Sequence, residues 1–290
     1  MYSADFAYAA PTSLQEALSL LANSDGSVKA LAGGQSLIPL MKLRLADPGT
    51  LVDLGNVPEL RGVREEGNEL VIGATTTYFQ AIDSPLVQRR CPLIIQALRQ
   101  VGDPQVRARG TVGGSLAHAD PAGDLPAVAL ALGATMHAIG PQGERDIPAL
   151  HFFTDMMTTA LDPSELLMNV RFPATDQPNT GTAYLKHRHP ASGYAVVGVA
   201  ALVRLDGAGN CAEARIGITG AGSHAVRAAS VEQALAGQPL DAATVDAACA
   251  SAANGLELMN DSYASSAFRA HLTRTLAKRA VLQAAQAARG

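Results

Sequence analysis

From residue 11 the chain alternates between two hydrophobic periodicities. Leu14, Ala17, Leu18 and Leu21 recur at helical spacing, which predicts a helix with one buried face. Pro11-Thr12-Ser13 opens it, Gln15 and Glu16 stand where capping contacts form, and Ser24-Asp25-Gly26 ends it as a turn. Val28 to Ala32 is a short apolar run that predicts a strand, broken by Gly33-Gly34. Leu37 to Leu45 then has helical spacing, and Thr50 to Leu54 predicts a second strand. Together these make a β-α-β-like unit whose glycine turn follows a strand.

Period-two segments take over next. Val63–Glu65 and Glu69–Ile72 flank Glu66-Gly67-Asn68, which predicts a hairpin. Leu93–Val101 predicts a helix, followed by a loop from Gly102 to Gly110. Pro121–Gly133 carries a very apolar helix beginning near Asp124. Thr135–Ile139 and Arg145–Ile147 flank Gly140-Pro141-Gln142-Gly143, a second hairpin, and Glu165–Phe172 predicts a strand. The polar stretch Asp176–Gly181, with Pro178, is the best candidate for a domain boundary. Beyond it, strands are predicted near 183–188, 196–205 and 212–219. Helices follow near 225–236, 242–253 and 267–288. No internal repeat interrupts this order.

Composition narrows the functional classes. A length of 290 residues, 48% of them hydrophobic, allows two domains with real cores. The net charge of -4 and the absence of Trp argue against a nucleic-acid surface, which needs a concentrated basic face or stacking platforms. Cys91, Cys211 and Cys249 are far apart and odd in number, a poor basis for a disulfide framework, an iron–sulfur cluster or a zinc site. The most apolar stretch, Leu125–Ile139, is too short to span a bilayer. With no signal-like N-terminus, a cytoplasmic protein is expected.

Two double glycines carry the candidate chemistry: Ala32-Gly33-Gly34-Gln35-Ser36-Leu37 and Thr111-Val112-Gly113-Gly114-Ser115. Glycine lets the backbone approach a ligand closely, and successive N–H groups can converge on an anion. Two such turns facing one another would hold a pyrophosphate with few cations, and Ser36, Thr111 and Ser115 could add hydroxyl donors. A lone Gly-Gly is usually only a turn, so spacing alone does not name the ligand. Neither motif is a P-loop. Gly220-Ala221-Gly222-Ser223-His224-Ala225 fits G-x-G-x-x-A, but no second strand with an acidic ribose partner follows.

The long segments Ala32–Lys42 (AGGQSLIPLMK) and Thr111–Ala127 (TVGGSLAHADPAGDLPA) resemble the FAD-binding medium subunit of the xanthine dehydrogenase and aerobic carbon monoxide dehydrogenase family, the molybdenum hydroxylases. The likeness runs nearly end to end and includes Asp103–Arg107, Leu166-Leu167 and Gly193-Tyr194-Ala195. It implies an α+β fold. An FAD-binding domain (1–176) of two α/β subdomains, about 1–56 and 57–176, would be similar to vanillyl-alcohol oxidase-type flavoproteins. A smaller C-terminal α+β domain would span 177–290. It also implies FAD as cofactor, with Ala32, Gly33, Gly34, Gln35, Ser36 and Leu37 and Thr111, Gly113, Gly114 and Ser115 clasping the pyrophosphate. Asp124 would meet the ribityl or ribose region, the Leu167 backbone and Lys186 would lie near the flavin ring, and Tyr194 would stack on it. Ser115 stands where relatives often carry Asn or Asp, so its reach is shorter.

The resemblance further implies partners. A large subunit would carry the molybdenum cofactor and a small one two [2Fe–2S] clusters, as a dimer of heterotrimers. The medium subunit would pass electrons to an external acceptor and hold no catalytic residue and no metal of its own. The rival reading is a self-sufficient FAD oxidoreductase of the same fold. His118 with Asp120 and Asp124 resembles a metal trio but belongs to the flavin loop in this family. His187 and His189 alternate without a clear third ligand. Asp103, Arg107 and Arg109 are either salt-bridged loop scaffolding or residues near the cofactor or at a subunit contact.

Overall fold

The computed structural model describes residues 2–22 and 26–290. It begins with β1 (Ala7–Ala9), α1 (Leu14–Ala22), β2 (Val28–Leu31), α2 (Leu37–Lys42) and β3 (Thr50–Asp53). β3 lies between β1 and β2 and is parallel to both. Parallel neighbours need a crossover, and the glycine turn plus α2 supplies it for β2 and β3. α1 buries Ala17 and Leu21 in a small core with Val52, Leu54 and Leu60. Ser24 and Asp25 of the predicted turn lie outside the described residues. α2 stops at Lys42 and not at Leu45. Arg44 adopts a left-handed backbone (φ 58), and the Leu45 and Ala46 N–H groups both turn back to the Leu40 carbonyl.

The next stretch holds β4 (Val63–Glu66), β5 (Glu69–Gly73), α3 (Tyr78–Asp83), α4 (Pro85–Arg90), α5 (Pro92–Leu98), α6 (Pro104–Arg109), α7 (Val112–His118) and α8 (Asp124–Leu132). It continues through β6 (Thr135–Gly140), β7 (Gly143–Pro148), α9 (Ala149–Phe152), β8 (Phe153–Asp155), β9 (Thr158–Thr159) and β10 (Leu166–Pro173). An antiparallel sheet runs in the order β4-β5-β10-β6-β7. Both predicted hairpins are present, closing at Glu66↔Glu69 and Gly140↔Gly143. The segment 102–110 is not the predicted loop, because α6 fills most of it. Asp103 caps α6 by accepting from the Val106 N–H at 2.8 Å, and Pro104 sits at its start. α3 and α4 also escaped prediction. Their signals are caps: a Thr77–Gln80 capping box and Ser84 followed by Pro85.

The last sheet is antiparallel in the order β11 (Thr180–Arg188), β12 (Ala195–Leu205), β13 (Cys211–Thr219) and β14 (Val226–Arg227). α10 (Ala229–Leu235), α11 (Ala242–Cys249) and α12 (Ser266–Ala288) follow. The predicted 225–236 helix starts only at Ala229, since Val226 pairs with Ile218 as strand. The predicted 242–253 helix ends at Cys249. α12 packs on β11 and β12, while α8 packs on β12 and β13. β12 divides its side chains accordingly. Ala200 and Leu202 join the core of α5 and α8; Val197, Val199, Ala201 and Val203 join the core of α12. Covered on both faces, β12 needs no polar alternation.

α8 is buried along its whole length and thereby joins the two larger sheets. Its closest approach is at Gly217, where an added Cβ would lie 2.0 Å from the Ala127 carbonyl oxygen. Gly217→Ala should therefore destabilise the protein by about 3 kcal/mol, the upper part of the overpacking range, because backbone and not a flexible side chain is struck. Urea unfolding measures this; an unchanged midpoint would show that α8 and β13 can part without loss. No helix among the described residues is long and apolar enough to cross a membrane.

Candidate cofactor site

β2 delivers the chain into the first glycine turn, and the turn leads straight into α2. Gly34 is left-handed there (φ 71), and its carbonyl accepts from the Ile38 N–H at 3.2 Å. The N–H groups of Gly33, Gly34, Gln35, Ser36 and Leu37 donate to no protein acceptor among the described residues. The Ser36 hydroxyl is not spent on capping α2. A run of unclaimed donors at a turn is the chemistry expected of an anion cradle. A Cβ on Gly33 would lie 2.2 Å from the Arg109 carbonyl oxygen and 2.9 Å from the Gly110 Cα. The first turn thus abuts the segment that enters the second glycine pair.

The second pair is built differently from the expected turn. Gly113 and Gly114 lie in the first turn of α7, with Thr111 as its N-cap. Their donors are already taken. Val112 N–H goes to the Thr76 carbonyl (2.9 Å), Gly113 N–H to the Ala74 carbonyl (2.9 Å), and Ser115 N–H to the Thr111 carbonyl (3.1 Å). Gly114 N–H goes to Thr111 Oγ1 at 3.1 Å. The two glycine pairs are therefore not equivalent nests. Gly113 is small for packing, since its Cβ would come within 2.4 Å of the Ala74 Cβ. Gly114 faces the first turn, 3.6 Å from the Ala32 Cβ by the same construction. What this side can still offer a ligand is the hydroxyls of Thr111 and Ser115.

Ser115 is in turn engaged by Tyr78, a buried residue that sequence reasoning missed. Burial pushes the Tyr78 phenol up to about 12, and its hydrogen bond with Ser115 opposes the rise. The Thr77–Gln80 capping box was the available signal for its helix.

The structure gathers Asp124 and Lys186 into one buried cluster. Asp124 is 5% exposed, the Lys186 side chain is 1% exposed, and Lys186 Nζ lies 2.8 Å from Asp124 Oδ1. The Tyr184 hydroxyl donates to the same oxygen at 2.5 Å. Burial raises the Asp124 pKa, with Lys186 and then Tyr184 opposing. Burial and the Asp124 charge raise Tyr184 well above an ordinary phenol. The carboxylate thus has Lys186 and Tyr184 as protein partners. Tyr184 was missed, although Tyr184 and Lys186 sit two apart on β11 and so share a face.

Tyr194 lies close to the first glycine turn. It is 42% exposed, and Ser36 is close enough to influence its hydroxyl. Burial raises its pKa, the Asp120 charge adds to the rise, and the Ser36 contact opposes it. The adjoining Ala195 N–H is pinned to the Ala122 carbonyl at 3.2 Å. Leu167 is buried on β10, opposite Ala138 of β6. β5 pairs with β10 only from Asn169 onward, so the Leu167 backbone has one flank beyond the end of β5. A cleft of about 390 Å³ opens between Gly102, Asp103 and Val106 on one side and Arg188 and Pro190–Gly193 on the other.

Arg107 and His118 make contacts within the protein. Arg107 donates to the Val101 carbonyl at 2.8 Å and the Gly102 carbonyl at 3.2 Å. His118 Nε2 and Asp120 Oδ2 are 4.0 Å apart, while Asp124 is committed to Lys186. No group of His, Cys, Asp and Glu among the described residues could hold a metal ion. The three cysteines are free and buried. The segment from Gly220 leads into β14 and not directly into a helix, and the Gly220 N–H is spent on the Pro121 carbonyl.

Free backbone donors at a glycine turn packed against the entry to α7 fit the anionic group of a cofactor. Comparison with known proteins agrees in kind. A family model described as the FAD binding domain in molybdopterin dehydrogenase matches residues 4–175. A second, described as the CO dehydrogenase flavoprotein C-terminal domain, matches residues 182–284. The chain is 39% identical over 276 residues to the carbon monoxide dehydrogenase medium chain of Hydrogenophaga pseudoflava, covering 95% of this chain and 96% of that one. It is 36% identical over 284 residues to subunit alpha of the 6-hydroxypseudooxynicotine dehydrogenase complex of Paenarthrobacter nicotinovorans, covering 98% and 96%. Among solved structures, carbon monoxide dehydrogenase from H. pseudoflava matches at 40% identity with a TM-score of 0.95 over 99% of both chains. Quinoline 2-oxidoreductase from Pseudomonas putida 86 matches at 36% identity with a TM-score of 0.93, again over 99% of both.

Proposed function

The chain belongs to the FAD-binding medium subunits of the carbon monoxide dehydrogenase and xanthine dehydrogenase family of molybdenum hydroxylases, flavoprotein subunits of oxidoreductases, and we propose that it carries electrons through FAD held between its first glycine turn and Tyr194. The unclaimed N–H donors from Gly33 to Leu37 carry this reading. They would take the pyrophosphate charge without a cation at the turn, as backbone nests do. Gly113 and Gly114 would serve by keeping α7 close, so that the Thr111 and Ser115 hydroxyls reach the same ligand. The Leu167 backbone and Lys186 would meet the polar edge of the ring, and Tyr194 would cover a face of it. Asp124 would meet the ribityl or ribose region while also holding the Lys186 ammonium in place.

When bound, FAD would supply the conversion between one-electron delivery from [2Fe–2S] clusters and two-electron delivery to an external acceptor. The clusters would belong to a small partner and the molybdenum cofactor to a large one, assembled as a dimer of heterotrimers. The cysteine content supports this division, because Cys91, Cys211 and Cys249 are each buried in the fold. The proposed domains are 1–176, with subdomains 1–56 and 57–176 similar to those of vanillyl-alcohol oxidase-type proteins, and 177–290. In support, the three larger sheets draw their strands from separate stretches of the chain.

Substrate choice is placed on the large partner. Relatives named for substrates as unlike as carbon monoxide and 6-hydroxypseudooxynicotine are 39% and 36% identical to this chain over nearly its full length. The test is the visible spectrum and metal content of the protein purified with its co-expressed partners. A flavin spectrum with FAD released on denaturation, together with iron and molybdenum, is the expected result. A colourless protein that takes up no added FAD would overturn the assignment. FAD-dependent turnover without iron or molybdenum would replace it with a self-sufficient flavoenzyme.

A further inference from the structure

Tyr194 does not belong to a regular element, so something must hold it over the cradle. β11 ends at Arg188 and β12 starts at Ala195, leaving His189-Pro190-Ala191-Ser192-Gly193-Tyr194 as the connection. Its base is closed by His189 N–H to the Tyr194 carbonyl at 2.8 Å and Gly193 N–H to the His189 carbonyl at 2.9 Å. Inside the loop, the Ala191 and Ser192 N–H groups both donate to His189 Nδ1 at 3.3 Å. The Tyr194 N–H donates to Ser192 Oγ at 3.4 Å. Pro190 has no N–H to place. Every backbone donor of the loop is thus consumed by the loop itself, with the imidazole at its centre.

Since Nδ1 accepts, the ring proton sits on Nε2. The ring also leans on Tyr263, with centroids 4.4 Å apart. Tyr263 is fixed independently, because Asp261 accepts from the Tyr263 and Ala264 N–H groups at 2.9 and 2.8 Å and is ion-paired to the buried Arg269. Arg269 in turn donates to the Val196 and Gly220 carbonyls, the strand ends beside Tyr194. A continuous set of contacts therefore runs from α12 through Tyr263 and His189 to Tyr194, which lies close enough to Ser36 of the glycine turn to be influenced by it.

We propose that His189 is the positioning residue of the flavin site: by accepting two loop N–H groups at Nδ1 while packed on Tyr263, it sets Tyr194 against the first glycine turn. The inference rests on the reading of that turn as the FAD cradle. His189 would act through Tyr194.

His189→Phe keeps a ring for Tyr263 and removes the acceptor. His189→Asn removes the ring but restores an oxygen that can accept from the N–H groups two and three residues on, as in an Asx turn. In the full chain with its partners, His189→Phe should weaken FAD binding about tenfold, the scale of one or two lost hydrogen bonds, and raise flavin accessibility to iodide quenching, with the circular-dichroism spectrum of the folded protein unchanged. His189→Asn should recover most of the affinity. In a Tyr194→Ala background the His189→Phe effect should vanish, because residues acting through one another are not additive. Ser192→Ala, which frees the Tyr194 N–H, should show a smaller loss in the same direction should His189→Phe fail to fold. Wild-type affinity in His189→Phe, no recovery in His189→Asn, or full additivity with Tyr194→Ala would each overturn the proposal. A wild-type protein that binds no FAD would instead remove the functional reading beneath it.

Discussion

Gly33→Val should abolish FAD binding while leaving the protein folded. A Cβ at this position would sit 2.2 Å from the Arg109 carbonyl oxygen and 2.9 Å from the Gly110 Cα. Both obstacles are backbone, and Gly110 is held on both sides: Tyr78 N–H donates to its carbonyl, and its N–H donates to that of Val106. The valine can be accommodated only by moving the first turn away from the entry to α7. That separation disperses the N–H row from Gly33 to Leu37 and opens the gap between Ala32 and Gly114. The fold tolerates this because Gly33 lies past the end of β2 and outside the larger cores. An affinity loss of at least about 100-fold is expected, equivalent to ~2.7 kcal/mol. Gly207→Ala is the control, since nothing lies within 4 Å of its added Cβ and its backbone is not left-handed. Retention of normal flavin content in Gly33→Val would remove the cradle from the site.

Much of this architecture could be read from residue order alone, for identifiable reasons. The hairpins at Gly67 and Gly140–Gly143 announce themselves by alternation around a turn, and the register observed closes at those turns. The early β-α-β-like unit shows the same logic in parallel form, with β2 and β3 side by side. The short helices between Tyr78 and Arg109 were illegible to periodicity, since one or two turns cannot display a repeat. Only their caps betray them. The two glycine pairs illustrate a deeper limit. Gly33 and Gly113 look alike in sequence because close approach demands glycine in both cases. Whether the neighbouring N–H groups face a ligand or a protein carbonyl depends on Thr76 and Ala74, whose carbonyls claim the second set. Likewise Asp124 and Lys186, distant in sequence, were both marked by family likeness as cofactor neighbours. Their pairing with one another required the packing of α8 against the last sheet.

That pairing gives the second large effect. Lys186→Met should destabilise the protein by about 3–5 kcal/mol, the range for removing one partner of a buried ion pair. The loss comes less from the missing attraction than from leaving the Asp124 carboxylate in a site where it is 5% exposed with the Tyr184 hydroxyl as its remaining close partner. Adding Asp124→Asn to Lys186→Met should recover a large part of the loss, since no buried charge then lacks a partner. The pH dependence has a definite sign. Burial already holds the Asp124 pKa above its ordinary value, with Lys186 the largest opposing influence. Without Lys186 the folded-state pKa moves further up, so the folded variant binds a proton that the unfolded chain has released. Stability then falls as pH rises from the ordinary carboxylate range to that raised value. The melting-temperature gap between wild type and Lys186→Met should therefore be narrow near pH 5 and wide near pH 8, and the double variant should lose this dependence. An equal gap at both pH values would mean that Asp124 reaches solvent once Lys186 is gone. The clamp between α8 and β11 would then be a matter of shape and not of charge.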